Sequence, residues 1–303
     1  MTGMLDGKVV AVTGAGRGIG RAIAMAAAEA GAAVIVNDLG ADLGGEGGDP
    51  SHAQATVADI EAAGGRAAVN GASVAEPEGA ASIVRDALDR FGRIDGVVNN
   101  AGILRDAIFH KMSTADFEAV IKVHLMGAWH VSKAAAPHFR EQGGGAFVFL
   151  TSTSGLIGNV GQANYAAAKL GVAGLSRGIA LDMNRFGVTS NAVAPFAWSR
   201  MIGSIPAETP AQQERVRRLQ AMTPEKIAPL AVYLLGGEER PTGQIFGARN
   251  NELFVFSQPR PVRSVHRDGG WTPEAIAGHA MPALKAGMTP LEVSGDVFSW
   301  DPV

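Results

Sequence analysis

The chain has no cysteine, which excludes disulfide stapling, cysteine-ligated zinc and a thiol nucleophile together. Its seven histidines never stand in an H-x-x-x-H pair, so no metal site is expected. No apolar run approaches the ~18 residues of a membrane span. The opening, Met1-Thr2-Gly3-Met4-Leu5-Asp6-Gly7-Lys8, lacks a cationic start followed by a long hydrophobic region. Asp301-Pro302-Val303 is no peroxisomal address. Dense lysine and arginine runs are also missing and the formal charge is −3, which argues against a nucleic-acid partner. These absences predict a soluble, cytoplasmic chain with no membrane partner.

What is present is 303 residues with a 47% apolar share, enough for one α/β domain with an appendage. Val9 to Thr13 is a β-branched run, followed by G-A-G-R-G-I-G (Gly14 to Gly20) and an alanine-rich helical stretch to Glu29. Strand, glycine turn and helix make the first half of a βαβ unit. A second run, Ala33 to Val36, ends in Asn37-Asp38. An acid at that tip is placed to hold the adenosine ribose hydroxyls of a dinucleotide.

Further strands are expected at Ala67 to Asn70, Gly96 to Val98, Ala146 to Leu150, Val188 to Val193 (stopped by Pro195) and Gly243 to Phe246. Helices are expected at Ser51 to Ala63, Glu76 to Phe91, Ala115 to about Arg140 and from Tyr165 to about Arg185. Strands alternate with helices, so the fold class is α/β, a doubly wound parallel sheet covered on both faces. Phe196 to Met222 shows no strand pattern and is expected to be an irregular substrate lid. Thr223-Pro224-Glu225 and Thr272-Pro273-Glu274 read as helix starts. The expected division is a catalytic domain over 1–247 and a C-terminal extension over 248–303.

The chemistry concentrates between Thr151 and Lys169. Tyr165 and Lys169 are four apart in an alanine-rich segment, a spacing that puts both on one helix face. A tyrosine acting on protons at neutral pH needs its pKa lowered by about 3 units, about 4 kcal/mol, and a neighbouring cation supplies part of that. Ser152 ends a β-like run thirteen residues earlier, where its hydroxyl can hydrogen-bond the oxygen whose proton Tyr165 handles.

With these pieces placed, the chain resembles the short-chain dehydrogenase/reductase family. Thr13, Gly14, Gly18 and Gly20 fill T-G-x-x-x-G-x-G. Asn99 to Gly102 gives N-N-A-G, and Ser152, Tyr165 and Lys169 complete the set. N-D-L-G at 37 to 40, N-N-A-G-I-L-R-D at 99 to 106, V-H-L-M-G at 123 to 127 and G-N-V-G-Q-A-N-Y-A-A-A-K-L-G at 158 to 171 look like the (3R)-hydroxyacyl-CoA dehydrogenase branch, found in peroxisomal multifunctional enzyme type 2. The resemblance implies a Rossmann fold and NAD-linked oxidation of a secondary alcohol, with a 3-hydroxyacyl-CoA as substrate. A steroid or cyclic-alcohol dehydrogenase and a 3-oxoacyl-acyl-carrier-protein reductase are alternatives within the enzyme class, and a nucleotide-sensing scaffold is the alternative outside it.

It implies cofactor contacts from Gly14, Arg17, Gly18, Ile19, Gly20, Asp38, Ser73, Val74, Asn99, Ala101, Gly102, Tyr165 and Lys169. It implies substrate contacts from Ser152, Gln162, Phe196 and Trp198, and a homodimer or homotetramer. His124 replaces the asparagine of many members, leaving either a relay through backbone carbonyl and water or a satisfied helix histidine. Ala72 replaces an adenine-contacting aspartate, so Ser73 and Val74 are expected to act through backbone groups. Pro195-Phe196 replaces Pro-Gly. Arg17 could pair with a 2′-phosphate, whereas Asp38 would repel one, and NAD is expected over NADP. Arginines in R-P-V-R-S-V-H-R (260–267) could meet coenzyme A phosphates or form a solvated or subunit-contact face.

Overall fold

The computed structural model describes residues 3–197 and 209–302. Trp198 and much of the expected lid therefore lie outside the described residues. The strands are β1 (Val9–Thr13), β2 (Ala33–Asn37), β3 (Arg66–Asn70), β4 (Gly96–Asn99), β5 (Gly145–Leu150), β6 (Val188–Phe196), β7 (Ile245–Arg249) and β8 (Glu252–Val255). They form one sheet in the order β3-β2-β1-β4-β5-β6-β7-β8. Every pairing is parallel except β7 with β8.

Helices follow in chain order: α1 (Gly18–Glu29), α2 (Ser51–Ala62), α3 (Pro77–Phe91), α4 (Thr114–Ile121), α5 (Gly127–Glu141), α6 (Thr153–Leu156), α7 (Ala163–Met183), α8 (Pro210–Gln220) and α9 (Ala228–Gly236). The short α10 (Pro273–Ala275), α11 (Met281–Leu284) and α12 (Ser294–Val297) lie in the C-terminal segment. All five residues of β1 and of β2 are buried, as strands covered on both faces must be. One face packs Ile23, Ile60 and Leu234 from α1, α2 and α9. The other packs Ile83, Phe139 and Val172 from α3, α5 and α7 against Phe147 and Phe149. In α3 the buried set Ala80, Ile83, Val84 and Ala87 follows the helical period, Pro77 sits in the first turn, and Gly92 ends the helix at φ +79.

Chain direction across the sheet reverses between β1 and β4. At such a switch point the helices leave to opposite faces, and a crevice opens beyond the carboxyl ends of the strands.

Several expectations need correction. The helix read from Ala115 to Arg140 is two helices joined by a π-helical turn, Lys122–Met126. A π turn inserts a residue and resets which positions face inward, something a 3.6-residue pattern cannot display. β6 does not stop before Pro195 but pairs with β7 as far as Phe196. Its pairing with β5 ends at Val193, so Pro195 has a strand on one side only and its missing N–H is tolerated. The last parallel strand runs from Ile245 to Arg249, across the boundary drawn at 247, and β8 adds an antiparallel edge. The described end of the expected lid is helical rather than irregular: Thr209 and Gln212 form a capping box at the start of α8. Thr223 makes no side-chain cap, and a 3₁₀ turn at Pro224–Lys226 precedes α9. Thr272 does cap α10, accepting from the amide of Ala275 at 3.2 Å.

Candidate active site

The switch-point crevice is built from both motifs at once. Thr13 Oγ1 donates to the Val98 carbonyl (3.2 Å) and accepts from the amides of Asn100 (3.0 Å) and Ala101 (3.1 Å). Asn100 Nδ2 answers by donating to the carbonyls of Thr13 (2.9 Å) and Gly14 (3.0 Å). The glycine turn and the N-N-A-G loop are thereby one rigid unit. Gly14 has φ +63, and a Cβ there would lie 2.9 Å from the Ala101 Cα. A Cβ on Gly20 would lie 2.1 Å from the Gly14 carbonyl oxygen, so neither position admits a side chain. Gly18 has φ +54 and open space on its Cβ side, while Ile19 packs on the core.

These residues fit a dinucleotide. The first turn of α1 holds no acidic side chain, and Arg17 gives its amides no side-chain cap. Such an N-terminus offers free N–H groups and the positive end of the helix dipole to a pyrophosphate. At the tip of β2 the Asp38 carboxylate accepts from the amides of Gly16 (2.8 Å) and Gly40 (2.7 Å). Arg17 donates to the Ala41 carbonyl at 2.9 Å. Ser73 Oγ accepts from the Ala75 amide at 3.2 Å, and buried Val74 packs where Gly127 leaves room.

The catalytic candidates come together at the same carboxyl ends. Ser152 follows β5 and caps α6, its Oγ accepting from the Ser154 amide at 3.1 Å. Tyr165 and Lys169 share one face of α7, with Nζ 5.6 Å from the centre of the phenol ring. Lys169 is buried and donates to the Leu150 carbonyl at 2.6 Å. The His124 ring meets Tyr165 edge-on at 5.2 Å, and its Nε2 lies 2.8 Å from the Ile103 carbonyl oxygen. A Cβ on Gly102 would sit 2.1 Å from His124 Cε1, so Gly102 makes room for that ring. Asn99 Oδ1 and His124 Nδ1 are buried without a hydrogen-bond partner among the described residues. Both residues line a small cavity together with Thr13, Val74, Ala101 and Lys169.

Electrostatics here run against one expectation. Burial pushes the Tyr165 phenol up to about 12; a hydrogen bond with Ser152 opposes that shift and the charge of Asp106 adds to it. Burial also brings Lys169 down to about 7, so the lysine is not the permanent cation the sequence suggests. Its ammonium lies over the Tyr165 ring, and for the phenol the loss of hydration is the largest cause of the shift. His124 falls to about 3, chiefly through burial and then through Lys169, with the Ile103 backbone bond opposing. It is neutral at physiological pH.

Gln162 bonds Asp106 and Ser154. Phe196 packs against Phe254 and Phe298 at ring distances of 6.1 and 4.7 Å. Three asparagines escaped the sequence reading as positioning groups. Asn100 is the second residue of N-N-A-G. Asn37 Nδ2 donates to the Ala72 carbonyl at 2.9 Å, shaping the 70–74 turn where the aspartate is missing. Buried Asn164 donates to the Arg105 carbonyl at 2.8 Å. The available signal was a polar residue interrupting or ending each apolar run.

A family model for short chain dehydrogenases matches residues 8–202. The chain belongs to the short-chain dehydrogenase family. It is 50% identical over 279 residues to a short-chain type dehydrogenase/reductase of Mycobacterium tuberculosis, covering 88% of this chain and 93% of that one. It is 42% identical over 273 residues to peroxisomal multifunctional enzyme type 2 of Mus musculus, covering 89% of this chain but 36% of that longer enzyme. A hydroxyacyl-CoA dehydrogenase of Mycobacterium tuberculosis is 34% identical over 283 residues, covering 90% of this chain and 87% of its own. The crystal structure of a short chain dehydrogenase from Mycobacterium avium superposes with a TM-score of 0.83 at 38% identity, covering 97% of this chain and all of that one. This short-chain dehydrogenase is therefore an oxidoreductase with the Rossmann fold of its family. Among the described residues no helix is long and apolar enough to cross a membrane.

Proposed function

We propose that this short-chain dehydrogenase interconverts a secondary alcohol and a ketone with NAD, and that its substrate pair is a 3-hydroxyacyl-CoA and the matching 3-oxoacyl-CoA. The observation that carries the reading is the convergence of Ser152, Tyr165 and Lys169 on the rim that also holds the glycine turn and Asp38. Resemblance to a relative named as a hydroxyacyl-CoA dehydrogenase supports the thioester substrate. The choice of NAD rests on Asp38, whose charge would repel a 2′-phosphate, while Arg17 is engaged with Ala41.

The pyrophosphate would lie on the amides between Gly14 and Gly20, the adenosine ribose on Asp38, and the adenine near Ser73 and Val74. Asn99, Ala101, Gly102 and Lys169 would hold the nicotinamide half. When bound, NAD supplies the hydride acceptor and, in its oxidised form, a positive ring. In alcohol oxidation Tyr165 would act as the phenolate, taking the hydroxyl proton to become the neutral phenol while Ser152 holds the oxygen. In ketone reduction the phenol is already protonated, as its raised pKa requires. Neutral His124 supports the Tyr165 ring and keeps the Gly102 loop in place. A cytoplasmic homo-oligomer is part of the same reading.

The test is NAD reduction with a panel of 3-hydroxyacyl-CoA thioesters and free sterols, with NADP in parallel. Turnover of thioesters with NAD is expected. Turnover confined to sterols, or a preference for NADP, would overturn the substrate or the cofactor.

A further inference from the structure

Asp106 has no part in the scheme above, yet the fold pins it from both sides. The Arg105 carbonyl accepts from Asn164 Nδ2 at 2.8 Å, and the Ala107 amide donates to the Gly161 carbonyl at 2.9 Å. These two ties hold Asp106 opposite the start of α7. Its Oδ2 accepts from Gln162 Nε2 at 2.8 Å. Arg105, although adjacent, directs its guanidinium to the Gly44 carbonyl (2.8 Å), Asp116 (3.3 Å) and Glu46 (3.9 Å).

An ionised carboxylate can only accept, so this contact decides which end of the Gln162 amide faces Asp106. The opposite end, Oε1, also only accepts, and it lies 2.9 Å from Ser154 Oγ. Ser154 has one hydroxyl proton, and Gln162 takes it. Asn159 Nδ2 donates to the same Ser154 oxygen at 2.9 Å. The 3.2 Å contact between Ser152 Oγ and Ser154 Oγ must then carry the proton of Ser152 toward Ser154. Every bond in the chain Ser152, Ser154, Gln162, Asp106 donates toward the carboxylate.

We propose that Asp106 is a positioning residue which, through the Gln162 amide and the Ser154 hydroxyl, sets the direction of the Ser152 hydroxyl in the active site. The proposal rests on the reading that Ser152 and Tyr165 handle an alcohol. With its own proton on Ser154 and one lone pair on the Ser154 amide, Ser152 offers its remaining lone pair to a hydroxyl donor. That donor is the phenol of Tyr165 or the alcohol of a substrate. Turning the Ser152 proton toward a phenolate or a ketone oxygen gives up the bond to Ser154. Holding the Ser152 proton on Ser154 weakens the bond by which Ser152 opposes the upward shift of Tyr165, so the chain favours a protonated Tyr165, in the same direction as the repulsion from Asp106.

The chain holds two tyrosines, Tyr165 and Tyr233, so tyrosine labelled at the ζ carbon gives two resonances that Tyr233→Phe assigns. The onset of Tyr165 ionisation is then read through the alkaline range in which the amide spectrum stays native. Among the described residues the charged or titratable groups facing Tyr165 are Lys169, His124 and Asp106. Those lining the surface pocket with Asp106 are Arg105, Glu46 and Asp116. Apart from Asp106 itself, all stay intact in every variant. Asp106→Ala should lower the onset by about one unit, and Asp106→Asn by less, because an amide oxygen still accepts from Gln162. Ser154→Ala, which changes no charge, should lower it as well, and the double variant Asp106→Ala/Ser154→Ala should fall short of the sum. An unmoved onset in Ser154→Ala, equal shifts in the two Asp106 variants, or full additivity would overturn the proposal. Turnover plays no part in this measurement, so failure of the proposed function and failure of this inference are separate results.

Discussion

Asp38 Oδ2 accepts the amide hydrogen of Gly16 at 2.8 Å, while Oδ1 accepts that of Gly40 at 2.7 Å. One carboxylate thus closes the glycine turn and presents its charge where a nucleotide 2′-group would lie. Wild-type enzyme should use NAD at least about tenfold better than NADP. Asp38→Asn removes the charge while keeping one oxygen acceptor, and should narrow that gap. Kinetics with both nucleotides check it; a wild-type preference for NADP would hand the decision to Arg17.

Tyr165→Phe should remove nearly all turnover and leave the dissociation constant for NAD close to wild type, because the glycine turn and Asp38 are untouched. Stopped-flow turnover and nucleotide titration by fluorescence measure the two quantities separately. More than about a tenth of wild-type turnover would exclude Tyr165 as the proton-transfer group.

The fold was legible because β-branched runs end in glycine turns and because T-G-x-x-x-G-x-G, N-N-A-G and Y-x-x-x-K carry their chemistry in local spacing. What escaped depends on contacts distant in sequence. Asn100 reaches Thr13 across 87 residues, and Asn37 reaches Ala72 across 35. The direction of the Tyr165 shift is set by burial, which no spacing of tyrosine and lysine reveals. The π turn at Lys122–Met126 keeps helical periodicity on either side, so its sequence reads as one helix. Antiparallel β8 follows β7 by a two-residue turn at Asn250 and Asn251, with Asn250 at φ 54. Asparagine tolerates that left-handed turn, but a short apolar run such as Leu253 to Phe256 does not by itself show which strand it pairs with.

Lys169 gives a pH dependence with a definite sign. Its folded pKa is about 7, against 10.5 for the ordinary group. Below the folded value both states hold the proton and the full burial penalty applies. Between about 7 and 10.5 the unfolded chain binds more protons than the folded one, so stability rises with pH. Lys169→Met has no titrating group there and loses the bond to the Leu150 carbonyl at every pH. Wild-type stability relative to Lys169→Met should therefore increase from pH about 7 upward. Urea midpoints for both proteins across that range test it, and a flat difference would show that Lys169 is not the buried titrating group.

The C-terminal segment is fastened at four points near the carboxyl ends of the strands. The amide and hydroxyl of Ser294 both donate to the Gly158 carbonyl, at 2.9 and 3.1 Å, in the loop between Ser152 and Tyr165. Phe298 packs on Phe196 at 4.7 Å and on Phe254 at 5.3 Å. Buried Arg249 donates to the Trp300 carbonyl and stacks near its ring, and Trp300 Nε1 donates to Glu252 at 2.8 Å. Arg218 of α8 reaches Asp301 at 3.4 Å. A cut after Phe246, inside β7, would break the sheet, whereas a cut after Leu291 leaves every strand whole and removes these ties. That truncation should lower the melting temperature, raise KM for long acyl-CoA thioesters and leave KM for NAD unchanged, because nothing it removes touches the glycine turn. Leu253 and Val255 stay exposed on β8, at 64% and 60%, so this edge is the expected subunit contact and the truncated protein should keep its oligomeric size. Thermal melts, light scattering and kinetics on one preparation separate these effects. Unchanged stability together with unchanged acyl-CoA parameters would show that the segment neither braces the fold nor shapes the cleft.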